Sequence, residues 1–216
     1  MVTQPQLPGA AISDVAFTPS VKAIQARKGS REAYSRMERG GGWSQTIDAE
    51  LGEFIAAQTS VFLATANAAG QPYIQHRGGP AGFLRVLDER TIAFADYRGN
   101  RQFITGGNLG ENSRAFLFLI DYAQRRRIKI WGAARVVEDD AKLVDSLMPA
   151  GYKARPEQAI VLTVEAWDEN CPQHIPQRFE AADVARALAE RDAVIAERDV
   201  RIATLEEELR RRVLPV

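Results

Sequence analysis

Between Ser60 and Trp167 the apolar residues fall in short runs, each closed by turn-forming residues. Val61 to Thr65 is one such run, ended by the turn signal Asn67-Ala68-Ala69-Gly70. Pro72 to Arg77 resumes an extended chain, with proline at a strand start, where its missing donor does least harm. Gly78 to Gly82 reads as a loop. Phe83 to Leu87 and Thr91 to Asp96 predict a hairpin about Asp88-Glu89-Arg90, and Arg114 to Ile120 with Arg127 to Val137 predict a longer one. Ala159 to Trp167 is the last strand. Brief helices interrupt the series, one running toward Asn108 and one over Asp139 to Leu147, stopped by Pro149 and Gly151. Short strands joined mostly by turns predict a mainly β fold with some α, an antiparallel barrel.

The flanks follow a helical period instead. From Thr46 to Ala57, Ile47, Leu51, Phe54 and Ile55 share one face; Thr46 is the expected cap, and Asp48 and Glu50 suit the positive end of the dipole. Pro19 to Arg39 predicts a helix in two pieces, split near Gly29. Ala181 to Val213 has no proline or glycine and is rich in alanine, glutamate and arginine, which predicts one long helix. Leu188, Ile195, Ile202 and Leu209 recur at intervals of seven, while the companion seam of Val184, Arg191, Arg198 and Leu205 is half apolar. That pattern admits a coiled coil or a single helix lying across the barrel. The expected organisation is an extension over 1–46, a barrel over 47–178 and a C-terminal helix over 179–216.

Charge narrows the function. Lysine plus arginine is 28 and aspartate plus glutamate is 28, so nothing draws the whole chain to nucleic acid or to an anionic membrane. Any anion site must be local. A single cysteine, Cys171, rules out an intrachain disulfide, fits a reducing cytoplasm and reads as a small buried hydrophobe rather than a redox thiol. With two histidines it makes too small a set for structural zinc, so no metal is expected. No apolar run nears the roughly 18 residues that span a bilayer, and the start carries neither the basic nor the apolar part of a secretory signal. A cytoplasmic protein without membrane or nucleic-acid partners is expected.

The stretch Ala95 to Ile104 carries the chemistry. It follows a strand and precedes a helix, whose first N–H groups favour an anion. Arg101 adds a planar fork suited to phosphate, and Asn100 and Gln102 add neutral donors. Gln75 and Arg77 share a side-chain parity on their strand and could reach the same place. Taken alone, a loop of glycine, asparagine and arginine is more often a solvated turn.

The ordered set of segments changes that balance. The helix Ile47 to Ala57, Val61-Phe-Leu-Ala-Thr65, Gly70 to Arg77, Tyr97-Arg-Gly-Asn-Arg101, Gly107-Asn-Leu-Gly-Glu-Asn112 and Arg127-Ile-Lys-Ile-Trp-Gly132 together resemble the pyridoxamine 5′-phosphate oxidase-like split-barrel proteins, which bind flavin mononucleotide (FMN). Phe17-Thr-Pro-Ser-Val21 through Gln25 and Gly29-Ser30 look like a flavin-nucleotide-binding branch of that family. The resemblance implies a split barrel and a homodimer with FMN at the interface. It implies that Gln75, His76 and Arg77 border the flavin and supply a phosphate-binding arginine. It implies that Tyr97, Asn100, Arg101 and Gln102 form the main phosphate and ribityl loop, and that Arg127 and Lys129 reach the cofactor across the dimer. In the oxidase itself glutamine stands at the Arg127 position. Trp167 resembles a tryptophan that contacts the flavin.

The oxidase's closing Arg-x-His-x-Arg motif is replaced by Cys171-Pro-Gln-His-Ile-Pro-Gln-Arg178. Arg178 matches its last arginine after a one-residue insertion, and His174 is a substrate-facing candidate or a loop-ordering residue. Oxidation of pyridoxamine 5′-phosphate is therefore not expected. The resemblance implies an FMN-dependent oxidoreductase acting on an unidentified small molecule, or a non-enzymatic flavin carrier. Deazaflavin users and haem-degrading proteins share the fold class, so these ligands remain alternatives.

Overall fold

The computed structural model describes residues 11–213. The chain divides into two units: one runs up to Asp121 and resumes over Arg126–Gln173, and the other comprises Tyr122–Arg125 and the chain from His174.

The first unit begins with a helical approach. A 3-10 turn over Ile12–Val15 leads to α1 (Pro19–Lys28), capped by Thr18, whose Oγ1 accepts from the Val21 amide at 3.3 Å. Gly29, at φ +81°, takes the left-handed conformation that ends α1, and α2 (Arg31–Arg39) follows, so the split falls where the sequence predicts it. In α3 (Ala49–Ala57) the cap is Asp48 rather than Thr46: its Oδ1 accepts from the Leu51 amide at 2.8 Å. A carboxylate at that end also complements the helix dipole, which a threonine cannot do.

Seven strands then form one antiparallel sheet: β1 (Ser60–Ala66), β2 (Pro72–Gly78), β3 (Arg85–Asp88), β4 (Thr91–Tyr97), β5 (Arg114–Asp121), β6 (Arg126–Val137) and β7 (Pro156–Asn170). Their order is β2-β1-β5-β6-β7-β4-β3. Three hairpins build it, β1–β2, β3–β4 and β5–β6, and the long β7 joins β6 to β4. The expected strands are all present, each ending within a few residues of its predicted bounds. The sheet curls on itself, but β2 and β3 are its two free edges, so the barrel is split.

Alternation decides which face lies inside the curl. Val61, Leu63, Leu117, Leu119, Ile128 and Ile130 all point inward and are at most 1% exposed. They join Leu51, Phe54 and Ile55 from α3, which closes one mouth. Each such side chain, fully buried, contributes about 1.5–3 kcal/mol. Residues 158–162 of β7 are buried on both faces, because α5 (Ala141–Ser146) and its C-cap cover the outside, with Val144 and Leu147 against Ala93, Ala95, Ala159 and Val161.

Trp131 lies on the other side of β6, outside this core. It stacks on Trp43 with ring centroids 4.6 Å apart and takes the edge of Phe116 at 5.0 Å. The approach segment thus covers part of the outer sheet face.

In the second unit, α6 (Ala181–Val213) is a single helix of 33 residues. Arg178 lies over the Tyr122 ring at 4.6 Å, and Gln177 donates to the Ala123 carbonyl at 2.9 Å. No helix among the described residues is long and apolar enough to cross a membrane.

Candidate functional site

The split in the barrel is where polar chemistry gathers. Residues of β2 face residues of β4 across it, and α4 (Ile104–Glu111) begins at its edge. Between them lies a cavity of about 200 Å³. Tyr73, Gln75 and Arg77 line one wall, Asp96 and Tyr97 the other, with Glu157 and Gln158 of β7 behind them. The loop Gly99 to Phe103 and the first turn of α4 complete it.

Strand parity puts Gln75 and Arg77 there, as expected. Arg77 reaches across the split: its Nε lies 3.3 Å from Asp96 Oδ1, and its Nη2 donates to Thr105 Oγ1 at 3.4 Å. The Nε–Asp96 approach is an ion pair without hydrogen-bond alignment, so that buried N–H has no hydrogen-bond partner. Asp96 also accepts from Gln158 Nε2 at 2.9 Å.

The loop owes its shape to two unusual residues. Arg101 and Phe103, at φ +58° and +55°, both adopt the left-handed conformation that non-glycine residues rarely take. Asn100 holds the turn by accepting from the Gln102 amide at 3.2 Å. Phe103 is the N-cap of α4, and no side chain caps that helix end. The amides of its first turn therefore lack a side-chain cap, and Ile104, Thr105 and Gly106, which carry them, line the cavity. Arg101 extends over the Phe103 ring at 5.3 Å, with its Nε 3.5 Å from Glu157. Arg98 lies 3.7 Å from the same carboxylate. Three guanidinium groups, of Arg77, Arg98 and Arg101, thus face two carboxylates, of Asp96 and Glu157, an excess of one positive charge.

Tyr97 stands between these charges with its hydroxyl buried and unbonded. Burial pushes its phenol above the ordinary 10.0, and the neighbouring Tyr152, edge-on at 5.4 Å, adds to the shift. In the difference between wild type and Tyr97→Phe, the phenolate absorbance should emerge at higher pH than that of free tyrosine. With the folded value above the unfolded one, the associated stability is complete below about pH 10 and is lost as pH rises through the folded value. A difference curve matching free tyrosine would remove the burial argument.

Six of the residues singled out from the sequence therefore meet in one cavity: Gln75, Arg77, Tyr97, Asn100, Arg101 and Gln102. Others lie elsewhere. His76 points to the opposite face of β2, where its Nε2 lies 2.8 Å from Ser60 Oγ and its ring meets Phe62. Lys129 pairs with Asp168 at 2.8 Å, with its Nζ 5.5 Å from the Trp43 ring centroid and 5.3 Å from that of Trp131. Arg127 is on the same strand, its Nε buried without a hydrogen-bond partner. Trp167 donates its Nε1–H to the Thr46 carbonyl at 2.9 Å and packs on the barrel core. His174, at φ +64°, and Arg178 belong to the second unit. Cys171 is exposed, not buried, because it falls just beyond the end of β7.

Sequence reasoning missed Tyr73, Asp96, Thr105, Glu157 and Gln158. Tyr73 shares the parity of Gln75 and donates to its Oε1 at 2.5 Å, so the alternation held that signal. Glu157 and Gln158 arrive through the β4–β7 pairing, in which Asp96 faces Gln158 and Tyr97 faces Pro156. No group of residues that could hold a metal ion occurs among the described residues.

Comparison with known proteins gives the family. Among solved structures, HupZ of Group A Streptococcus is 19% identical, with 62% of this chain and 99% of that chain covered and a TM-score of 0.45. An FMN-binding protein from Syntrophomonas wolfei is 11% identical, covering 69% and 97%, with a TM-score of 0.44. A general stress protein 26-related protein of the pyridoxinephosphate oxidase family from Clostridium acetobutylicum is 15% identical, covering 62% and 94%, with a TM-score of 0.43. No curated protein matches significantly. The family model described as pyridoxamine 5′-phosphate oxidase matches residues 47–171, more than half of the chain. By that match, and with the split barrel to accompany it, the chain belongs to the pyridoxamine 5′-phosphate oxidase family.

Proposed function

We propose that the chain is an FMN-binding oxidoreductase acting on a small molecule, and that the cavity at the split receives the phosphate and ribityl end of the cofactor. One observation carries this reading: two arginines and an uncapped helix N-terminus converge on the same small cavity. Helix amides and guanidinium forks are what a phosphate dianion needs. The buried N–H of Arg77 and the Tyr97 hydroxyl, both without hydrogen-bond partners, are sites such a ligand would satisfy.

The cavity also bears on assembly. Its volume of about 200 Å³ is below the roughly 300–1,000 Å³ of sites that enclose a whole cofactor-sized ligand. Phe103 and Ile104 at its rim are 54% and 39% exposed. A second copy of the chain covering that rim would supply the missing wall, giving a homodimer with the cofactor at its interface. Arg127 and Lys129, outside the cavity of their own chain, are then available to a partner's. Light scattering of the flavin-loaded protein should give the mass of a dimer; a monomer that retains FMN removes this arrangement.

Bound FMN would supply the redox chemistry, leaving the protein to bind it and orient its ring system. Arg77, Arg101 and the amides of α4 would hold the phosphate. Gln75 and Gln102 offer neutral donors and acceptors for hydroxyl groups. No side chain in the cavity stands free as a proton donor with an ordinary pKa near neutrality, which suits hydride transfer, a step that needs none.

Arg101→Ala should weaken FMN binding by about 1.5–3 kcal/mol, the range for a charged hydrogen bond. Equilibrium dialysis with the flavin absorbance as readout measures it, and equal retention in the variant and the parent would reject the phosphate site. The visible spectrum distinguishes a flavin, with paired blue and near-ultraviolet bands, from haem, with a Soret band. Turnover with reduced nicotinamides and a panel of acceptors distinguishes an enzyme from a carrier.

A further inference from the structure

Every described side chain of α6 is exposed, including Leu188, Ile195, Ile202 and Leu209. A solitary helix with such a stripe gains nothing from it, so the stripe calls for a partner. The charges identify that partner.

The four-residue step from Val184 to Leu188 and the three-residue step from Leu188 to Arg191 fix the heptad. Leu188, Ile195, Ile202 and Leu209 occupy a positions, and Val184, Arg191, Arg198 and Leu205 occupy d. Asp192 and Asp199 fall at e. Ala189-Glu-Arg-Asp192 recurs unchanged as Ala196-Glu-Arg-Asp199, one heptad on.

On its own helix, Arg191 has only Ala187, Leu188, Val194 and Ile195 at the three- and four-residue spacings where side chains meet. Asp192 has Leu188, Ala189, Ile195 and Ala196, and Asp199 has Ile195, Ala196, Ile202 and Ala203. Arg198 has no acidic residue at those spacings either. Among the described residues none of these four charges makes an ion pair, whereas the ends of the helix do: Asp183 with Arg186, Glu207 with Arg211. No partner for these middle charges lies within reach on their own helix, so a pairing has to come from outside it.

We infer that α6 forms a parallel, in-register, two-stranded coiled coil with α6 of a second copy of this chain. In a parallel pair a d residue sits in a hole bordered by the partner's d and e residues. Arg191 then lies beside the partner's Arg191 and the partner's Asp192, and Arg198 beside the partner's Arg198 and the partner's Asp199, so each facing pair of arginines is flanked by two aspartates that balance its charge. The arginine stems cover the apolar seam while their heads reach the carboxylates. Ile195 and Ile202 at a put a β-branched apolar layer on either side of Arg198, which keeps the seam apolar between the charged layers. An antiparallel pair fails on the same residues: it sets e against e and g against g, so Asp192 faces the partner's Asp199 and Arg191 approaches the partner's Arg201.

Disulfide trapping tests this without reference to the cofactor, so its failure is separable from that of the FMN reading. In full-length protein with Cys171→Ser, Leu209→Cys should cross-link to itself in a glutathione buffer. Val200→Cys, on the far side of the helix at an f position, should do so about tenfold more slowly or less, because the coiled coil holds only the seam at high effective concentration. Leu188→Cys mixed with Leu205→Cys should give no mixed dimer. A mixed dimer there would mean antiparallel pairing, and equal rates for Leu209→Cys and Val200→Cys would mean tethered but unpaired tails; either overturns the inference. Charge reversal gives a second readout in the Leu209→Cys background. Arg191→Asp with Arg198→Asp should lose self-cross-linking, as should Asp192→Arg with Asp199→Arg, and mixing the two proteins should restore it. Unchanged cross-linking in either variant alone overturns the charge assignment.

Discussion

Gly132→Ala is expected to destabilise the barrel by about 3 kcal/mol or more, the upper end of overpacking costs. An ideal Cβ at Gly132 would lie 2.2 Å from the Thr163 carbonyl oxygen and 3.0 Å from Leu162 Cδ2. The side chain of Leu162 could rotate away. The carbonyl cannot, because it belongs to β7, which is bonded to β6 on one side and β4 on the other. The clash therefore has to move β6 or β7, both interior strands of the sheet. The β6–β7 register shifts between Trp131 and Gly132, so the glycine marks a bulge where two backbones approach closely. Gly99→Ala is the control, since nothing lies within 4 Å of a Cβ there and its φ is outside the left-handed region. Urea denaturation followed by tryptophan fluorescence measures both. Equal midpoints for Gly132→Ala and wild type would mean that β7 yields without cost and that the bulge is not a constraint.

The same bulge shows what the sequence could and could not express. Trp131-Gly132 is legible as a motif, but the reason for the glycine lies in Thr163, 31 positions later, and only strand pairing brings them together. Strands β1, β5 and β6 are legible because one face is core and the other is not, so alternation survives in the residue types. The bounds of β7 are less so: it is buried on both faces near Gln158 and carries no period there. The site divides along the same line. Gln75, Arg77 and the Tyr97 to Gln102 loop are readable from parity and from a loop preceding a helix. Asp96 is not, since an acidic residue runs against the anion-binding pattern that found the arginines. The structure explains it as the counter-charge that holds Arg77 across the split. Asp48, in place of Thr46, was lost by two positions because both residue types cap helices and the periodicity does not choose between them.

Arg77→Ala should have the larger effect on FMN, weakening binding by about 3 kcal/mol or more, roughly a hundredfold or beyond. Two losses add. The phosphate forfeits a charged fork, and Asp96 is left facing it without a counter-charge. The side chains of Arg77 and Asp96 are only 22% and 13% exposed, so water screens that repulsion weakly. Arg101, with 53% of its side chain exposed, lacks this second term, which is why its removal should cost less. Arg77→Lys keeps the charge but not the fork and should fall between wild type and Arg77→Ala. Adding Asp96→Asn to Arg77→Ala should restore part of the affinity, because it removes the repulsion and leaves the missing fork as the sole deficit. Quenching of flavin fluorescence in a titration of apoprotein gives the constants for wild type, Arg77→Ala, Asp96→Asn and the double variant, and the cycle these four close separates the fork from the unmasked carboxylate. If Arg77→Ala binds FMN as wild type does, the phosphate does not lie at the split. If the double variant binds no better than Arg77→Ala, Asp96 does not face the phosphate, and its partnership with Arg77 serves only to hold β2 against β4.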